Sequence, residues 1–494
     1  MTTGHEQKQR IRQRLKEERG NAFSQGGAPI ALLYPSPYRA GMSSVGFQWV
    51  LKILREAGFQ VERAFLPDDA EGWRKSRVPL HTYETERPVA HFPVIGVSVA
   101  YELELAGLIE ALELAGIPPL RKDRSSHHPR IVMGGPLTFS NPLPAAPFVD
   151  AMLMGEAEDV LLPAFEAAMH TEGDAWLETV AQLDGGYVPS IHGEVLPEVA
   201  KASDELLPAY APIVAPDAEL SNMFLIEGER GCHRMCSFCV MRRSTNGGMR
   251  LVSPDKVMSF VPDYAERVGL VGAAISDHPQ LVGLLETIVG GGRGVGISSL
   301  RADRVARKPD IARLLRQGGY KTLTVASDAA SERLRRSISK GTKENHLLEC
   351  AKQAAEHRYK VMKVYMMVGV PDETDDDIDE LVRFTTELSR IVPVSLGIAP
   401  FVPKRNTPLD ISEFAGIRSV ERRLKRLTRG LKGVAEVRPT SARWAWIEAE
   451  MAQGGWSAGE AVYAACKAGG KFADYRRAFK AVDPASRAPW RRVA

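Results

Sequence analysis

Between residues 29 and 399 the chain alternates short strand-like runs with stretches of helical periodicity, and few architectures accept that alternation. In the first part, residues 30–34 (Ile-Ala-Leu-Leu-Tyr), 61–65, 94–99, 131–133 and 151–154 read as strands. Ser43 or Ser44 can cap a helix whose Phe47, Val50, Leu51 and Leu54 share one face up to Gly58. A second helix is predicted over 101–114, stopped by Gly116 and Pro118, and a third after Gly155 and Glu156. Continuous apolar strands separated by helices predict a parallel sheet covered on both faces, the doubly wound architecture. Ligands bind such sheets beyond the carboxyl ends of the strands, here 34–42, 98–102 and 134–138. Gly134, Gly135 and Gly155 stand at strand ends. They either let backbone approach a large flat ligand or simply make tight turns.

This first domain is assigned to 25–200, after a charged extension at 1–24 that reads as an exposed helix. Residues 196–222 carry Pro197, Pro208, Pro212 and Pro216 without a sustained period, which predicts a linker at 201–222. The alternation then resumes. Strands are predicted at 223–226, 270–276, 295–299, 322–327, 360–368 and 394–399. Helices are predicted between them at 254–268, 279–288, 309–317, 343–357 and 375–391. Six β/α units over 223–411 predict a partial (β/α)6 barrel, with its chemistry on the loops after the strands.

The loop after the first of these strands holds Cys232, Cys236 and Cys239, three of the five cysteines in the chain, spaced C-x3-C-x2-C. On a helix those spacings would place three sulfurs on one buried face, but Gly231, His233, Arg234 and Ser237 argue against that. Zinc with His233 as fourth ligand is an alternative, although zinc sites usually pair their cysteines. Three thiolates on an iron–sulfur cube leave one iron with an open position, as catalytic metals have.

The motif, on the first strand of six β/α units and with Phe238 before the last cysteine, resembles the radical S-adenosylmethionine enzymes over about 223–409. The resemblance implies that Cys232, Cys236 and Cys239 ligate a [4Fe-4S] cluster whose open iron is chelated by S-adenosylmethionine, which is cleaved to a 5′-deoxyadenosyl radical. It also implies cofactor contacts from Ser298 and Arg301 after the third strand and from Asp328 after the fourth, where relatives often carry glutamate. For Asp328, a cap of the next helix is the alternative. Asp277-His278 ends the second strand, where relatives place a contact to the cofactor amine; a helix cap is the alternative. The Gly369–Thr374 turn resembles the family's turn after the fifth strand, with a structural role.

Ahead of this module, the Gly-Gly-Pro at Gly134 and the Gly-Glu-x-Glu at Gly155 resemble cobalamin-binding, flavodoxin-like domains. The Asp-x-His-x-x-Gly segment that supplies a cobalt ligand in many of them is absent. The Trp-rich stretch 443–456 resembles the tail of an uncharacterised family that fuses the two modules. These likenesses imply a cobalamin-dependent methyltransferase or related alkyl-transferring enzyme, served by an electron donor such as flavodoxin or ferredoxin, with a small-molecule or peptide substrate. A radical enzyme with a vestigial first domain and a non-catalytic corrinoid or zinc carrier are the alternatives. A methylthiotransferase is disfavoured, since its relatives carry three further cysteines ahead of the motif and none precedes Cys232 here. The catalytic acid–base residues are not specified by any motif.

Composition narrows the partners. A net charge of +3 over 494 residues implies no general attraction to nucleic acid or membrane. No apolar run is long enough to span a bilayer, and no signal or transit pattern is present, so a cytoplasmic protein is expected. The region 412–494 is expected to be a helical third part. Its Arg418, Arg422, Arg423, Lys425, Arg426, Arg429 and Lys432 read as a solvated face, with an RNA contact as the alternative.

Overall fold

The computed structural model describes residues 4–241 and 248–482. The chain forms two compact units, Met1–Leu225 with Glu450–Ala494, and Ile226–Ala449. The region expected as a third part is therefore shared out. Helix Ile417–Gly430 belongs to the second unit, and helices Trp456–Lys467 and Phe472–Lys480 belong to the first.

The first unit is built on β1 (Pro29–Tyr34), β2 (Gln60–Phe65), β3 (Val94–Ser98), β4 (Arg130–Gly134), β5 (Ala151–Leu153) and β6 (Gly186–Tyr187). Their order in the sheet is β2-β1-β3-β4-β5-β6; the first five run parallel and β6 is antiparallel. Ile30, Leu33, Val61, Ile95, Ile131 and Ala151 are fully buried, as strands covered on both faces must be. Ser44 caps helix Val45–Glu56, its hydroxyl accepting from the Phe47 amide at 3.3 Å. That helix packs against Leu161–His170, while Glu104–Ala115 packs against Ala70–Ser76 and against Trp456–Lys467.

Two expectations for this unit are corrected. The N-terminal helix, Gly4–Glu17, is not simply exposed: Ile11 and Arg14 are buried. Arg14 donates to Asp217 at 2.7 Å, to the Tyr83 hydroxyl at 2.8 Å and to Asp68 at 2.8 Å. Residues 201–222 are not a free linker but a strap packed on the unit. Ala209, Ala211, Ile213 and Val214 are buried, and the Ile213 amide donates to the Gln48 side chain at 2.8 Å. The prolines break any regular element here, while the alanines are small and apolar enough to be buried in an irregular one.

The second unit has six main strands, β7 (Phe224–Glu227), β10 (Arg267–Val271), β11 (Gly294–Ile297), β13 (Thr322–Asp328), β14 (Val361–Val368) and β15 (Val394–Pro400), of which β10 starts three residues before the expected 270–276 and ends five residues short of it. Shorter pieces join them: β8 (Glu229–Gly231), β9 (Met249–Leu251), β12 (Leu300–Arg301) and β16 (Glu436–Pro439). The strands fall into two sheets, β11-β10-β7 and β12-β13-β14-β15-β16, the latter parallel throughout. The break comes where the third expected strand passes through the exposed Ser298 and Ser299. In β13 and β14 every second residue is buried, among them Leu323, Val325, Met362 and Val364. Helices Glu344–Glu356 and Ile417–Gly430 pack on β14. The alternate residues (Thr322, Thr324, Ala326, Lys363, Tyr365 and Met367) line the concave face, which a partial barrel leaves open.

Candidate functional site in the second unit

The cysteine loop leaves from β8, which pairs antiparallel with β9. Gly231 makes the entry turn at φ 93°, a backbone that a side chain rarely adopts. Two hydrogen bonds pin the loop: the Ser237 amide donates to the Ile338 carbonyl at 3.0 Å, and the Leu409 amide to the Ser237 carbonyl at 3.3 Å. Cys236 is buried, and Cys232 and Cys239 are half-buried; no disulfide joins them. Burial pushes Cys232 upward and Cys239 to about 11, and neighbouring thiols in the motif add to both shifts. Iron binding to such thiols must therefore release protons. Among the described residues no three Cys, His, Asp or Glu side chains converge as around a single ion. The three thiols are near neighbours in one loop, the arrangement that fits a multi-iron cluster, whose ligands sit on separate irons.

A charged framework supports the loop. Asp277, whose side chain is fully buried, accepts from Arg234 Nε and Nη2 at 2.7 Å each, and pairs with Arg304. Burial favours its protonation, but hydrogen bonds from these two arginines outweigh it and hold the carboxyl at about 2. The His233 ring stands 3.7 Å from the same carboxylate. His278 resolves differently from Asp277. It is buried, its Nδ1 accepts from the Gln280 amide at 3.1 Å, and its Nε2 lies 3.0 Å from the Val252 carbonyl. It is thus a satisfied core histidine at the start of helix Leu281–Gly290.

Two of the other expected contacts, Arg301 and Asp328, converge on one residue that no motif marked. Arg301 donates to Asp303 at 3.0 Å and to the Lys340 carbonyl at 3.0 Å. Its backbone amide donates to the Ser276 hydroxyl at 3.2 Å. Asp328, at φ 65°, pairs with Lys340, which is largely buried. Asp328 is not the cap of the next helix, because Ser331 is, accepting from Leu334 at 3.2 Å. Lys340 also lies close enough to Cys239 to draw its thiol toward ionisation. Ser298 is exposed and Phe238 half-buried. Arg234, Lys340 and Asp277 are thus brought together with the cysteine loop, and only the position of Asp277 after a strand could have pointed to it.

The turn after β14 has the structural role expected of it. Gly369 takes φ 85°, and its amide donates to Glu373 at 2.6 Å. Thr374 and Asp377 cap helix Asp375–Ser389, the Thr374 amide donating to Asp377 at 2.9 Å. Burial pushes the Glu373 carboxyl to about 7 despite Arg423 at 3.1 Å. The basic helix is partly spoken for: Arg423 pairs with Glu373, Arg426 with Asp379 and Arg422 with Asp375.

In the first unit the strand ends close on one another. A Cβ on Gly135 (φ 106°) would lie 2.6 Å from the Val99 carbonyl oxygen, and one on Gly155 (φ 99°) 2.5 Å from that of Ala200. These two glycines make close approaches to the protein's own backbone, as the tight-turn alternative expects; Gly134 has more room. Glu104 ties the ends of β1 and β3 together, accepting from Ser36 at 2.9 Å and from the Ala100 amide at 2.6 Å.

Residues 46–189 match the family described as "Radical SAM proteins, N-terminal", and residues 226–385 match "Radical SAM superfamily". The uncharacterized protein MJ0966 of Methanocaldococcus jannaschii is 27% identical over 413 residues, 82% of this chain and 83% of that protein. The uncharacterized methyltransferase PH0819 of Pyrococcus horikoshii is 22% identical over 269 residues, 52% of this chain and 58% of that protein. Among solved structures, the radical S-adenosylmethionine methyltransferase TsrM from Kitasatospora setae, with cobalamin and a [4Fe-4S] cluster bound, is similar in fold. The TM-score is 0.54 at 15% identity, covering 78% of this chain and 77% of that one. No helix among the described residues is long and apolar enough to cross a membrane. With the two family matches together spanning more than half of its length and the cysteine motif in place, the chain belongs to the radical S-adenosylmethionine superfamily.

Proposed function

We propose that Cys232, Cys236 and Cys239 hold a [4Fe-4S] cluster with which the chain reductively cleaves S-adenosylmethionine to a 5′-deoxyadenosyl radical. In this reading the enzyme transfers a methyl or related group to an unactivated carbon, with cobalamin as second cofactor. The observation that carries it is three thiols, none in a disulfide, in one pinned loop at the exit of the first of six β/α units. The cluster, when bound, supplies a single electron through an iron left open for S-adenosylmethionine. The chain's part is to orient. Asp277 fixes Arg234 within the loop, and Arg301 and the Asp328–Lys340 pair offer polar groups tied to Lys340, which lies near Cys239. An electron donor such as flavodoxin or ferredoxin and a cytoplasmic setting complete the proposal.

Cobalamin is supported by the β2-β1-β3-β4-β5 strand order, which is that of flavodoxin-like sheets, and by the likeness to TsrM in fold. One observation favours the second reading, a radical enzyme with a vestigial first domain. The strand ends are stitched together by Glu104 and the Gly135 turn, and segments 34–42, 98–102 and 134–138 contain no histidine to serve as a lower cobalt ligand. Anaerobic purification with added corrinoid, followed by iron, sulfide and cobalt analysis and assay of 5′-deoxyadenosine after reduction, separates the two. The first reading expects about four irons and one cobalt per chain; iron and deoxyadenosine without cobalt select the second. Zinc in place of iron would overturn both.

A further inference from the structure

We infer that the concave face of the second unit binds its substrate through an oxyanion, a carboxylate or phosphate, gripped by Lys363 and Tyr365. The inference rests on the reading of that unit as a radical enzyme only in taking the bound molecule to be its substrate. Both residues lie on β14, two positions apart and therefore on the same face of the sheet. Their neighbours on the buried face are Met362, Val364 and Met366. Tyr365 is 40% exposed, far more than a sheet centre with strands on both sides would leave without a reason.

The sheet register explains how the pair is presented. Lys363 lies between Thr324 and Ser395, and Tyr365 between Ala326 and Gly397. Gly397 is required there, since a Cβ at that position would come within 2.8 Å of the Tyr365 ring. The ring leans over this glycine, and the Lys363 ammonium sits 4.6 Å from its centroid and donates to its hydroxyl at 3.0 Å. Because that hydroxyl accepts from lysine, its own hydrogen is left to donate outward. Two adjacent donors, one charged, then face the open side of the sheet. The carboxylates near them are already engaged. Glu436 is held by Arg438 at 2.8 Å and Ser395 at 3.0 Å, and Asp328 by Lys340. Ala326, the strand neighbour of Tyr365, is two residues before Asp328. The donors therefore sit about 7 Å along the strand from the rim that carries Asp328 and Lys340. A charged donor and a phenol side by side on an open face, whose neighbouring carboxylate Glu436 is already held by Arg438 and Ser395, recognise an oxyanion by charge-assisted hydrogen bonds.

The test uses the full chain with its cluster reconstituted, and ligand-observed NMR with three probes: benzoate, phenyl phosphate and benzyl alcohol. Binding of benzoate or phenyl phosphate, weakened about tenfold by Lys363→Met and about threefold by Tyr365→Phe but retained in Lys363→Arg, is the expected result. The anion that binds more tightly identifies the group. Benzyl alcohol should bind weakly and equally to all forms. Failure of both anions to bind, or equal binding to wild type and Lys363→Met, overturns the inference. Iron and sulfide content, measured on the same samples, shows that the variants are folded. Loss of deoxyadenosine formation in the wild type would sink the radical-enzyme reading while leaving the anion result standing.

Discussion

Each unit buries charge, and the two do it differently. In the first, the side chains of Arg63 and Glu18 are fully buried and that of Glu84 nearly so; Arg63 meets Glu18 at 2.7 Å and Glu84 at 2.6 Å, and Arg55 closes the set on Glu84 at 2.8 Å. Burial works against the Arg63 charge, but the two carboxylates outweigh it and hold its proton more tightly than in water. In the second, Asp277 is fully buried while its partners Arg234 and Arg304 keep 26% and 28% of their side chains exposed. A closed set of charges fixes where segments meet. A set with one anchor inside and its cations reaching out holds a loop and leaves its edges available. The proposed cluster site needs a support of the second kind, and not of the first.

Breaking the comparison starts at the thiols. Cys236→Ala should abolish iron and sulfide retention and reduce deoxyadenosine formation to background, with the far-ultraviolet circular dichroism unchanged. Arg63→Met should do the reverse. It leaves Glu18 buried without its cation and Glu84 with Arg55 alone, at a cost of about 3–5 kcal/mol in denaturant unfolding of the first unit. Asp277→Asn sharpens the contrast, with a loss of roughly 2–3 kcal/mol in the second unit and reduced cluster retention, read as iron per chain after gel filtration. If it moves only the unfolding midpoint, the two charge sets are of one kind. The smallest effect is one of pH. Glu373 is pushed to about 7 by burial, so between about pH 5 and 7 the folded chain binds a proton that the unfolded chain has lost. That stabilisation is present below pH 5 and disappears as the pH rises through 7. Glu373→Gln should remove this component, flattening the unfolding midpoint against pH by the equivalent of about 1–2 kcal/mol.

What could be read from the sequence was whatever rests on local pattern. All six strands of the second unit were legible because apolar runs announce buried strands, and helix Pro309–Gln317 was found to the residue behind its N-terminal proline. The helix expected over 254–268 stops at Ser259, because Pro262 cannot continue it. What remained hidden depends on partners distant in sequence. Glu18, Arg63 and Glu84 look like solvated charges until the fold unites them. Lys340 and Lys363 belong to no motif and gain meaning only from Asp328 and Tyr365. Gly135 and Gly155 show the converse, a pattern visible in the sequence whose close approach to the Val99 and Ala200 backbone was not.

The return of the chain's last helices to the first unit has a consequence for how the protein is made. Asn141, buried in that unit, donates to the carbonyls of Ala452 and Gly454 at 3.1 and 2.8 Å, and a Cβ on Gly459 would collide with the Pro144 carbonyl. These contacts join residues more than 300 positions apart. At ordinary rates of synthesis, the segment between 226 and 449 takes on the order of tens of seconds to emerge. For that interval the nascent first unit holds its sheet without the helices that complete it. The second unit, contiguous in sequence, can meanwhile mature without waiting. The order of birth thus favours assembly of the cysteine-bearing unit before its elder neighbour is finished.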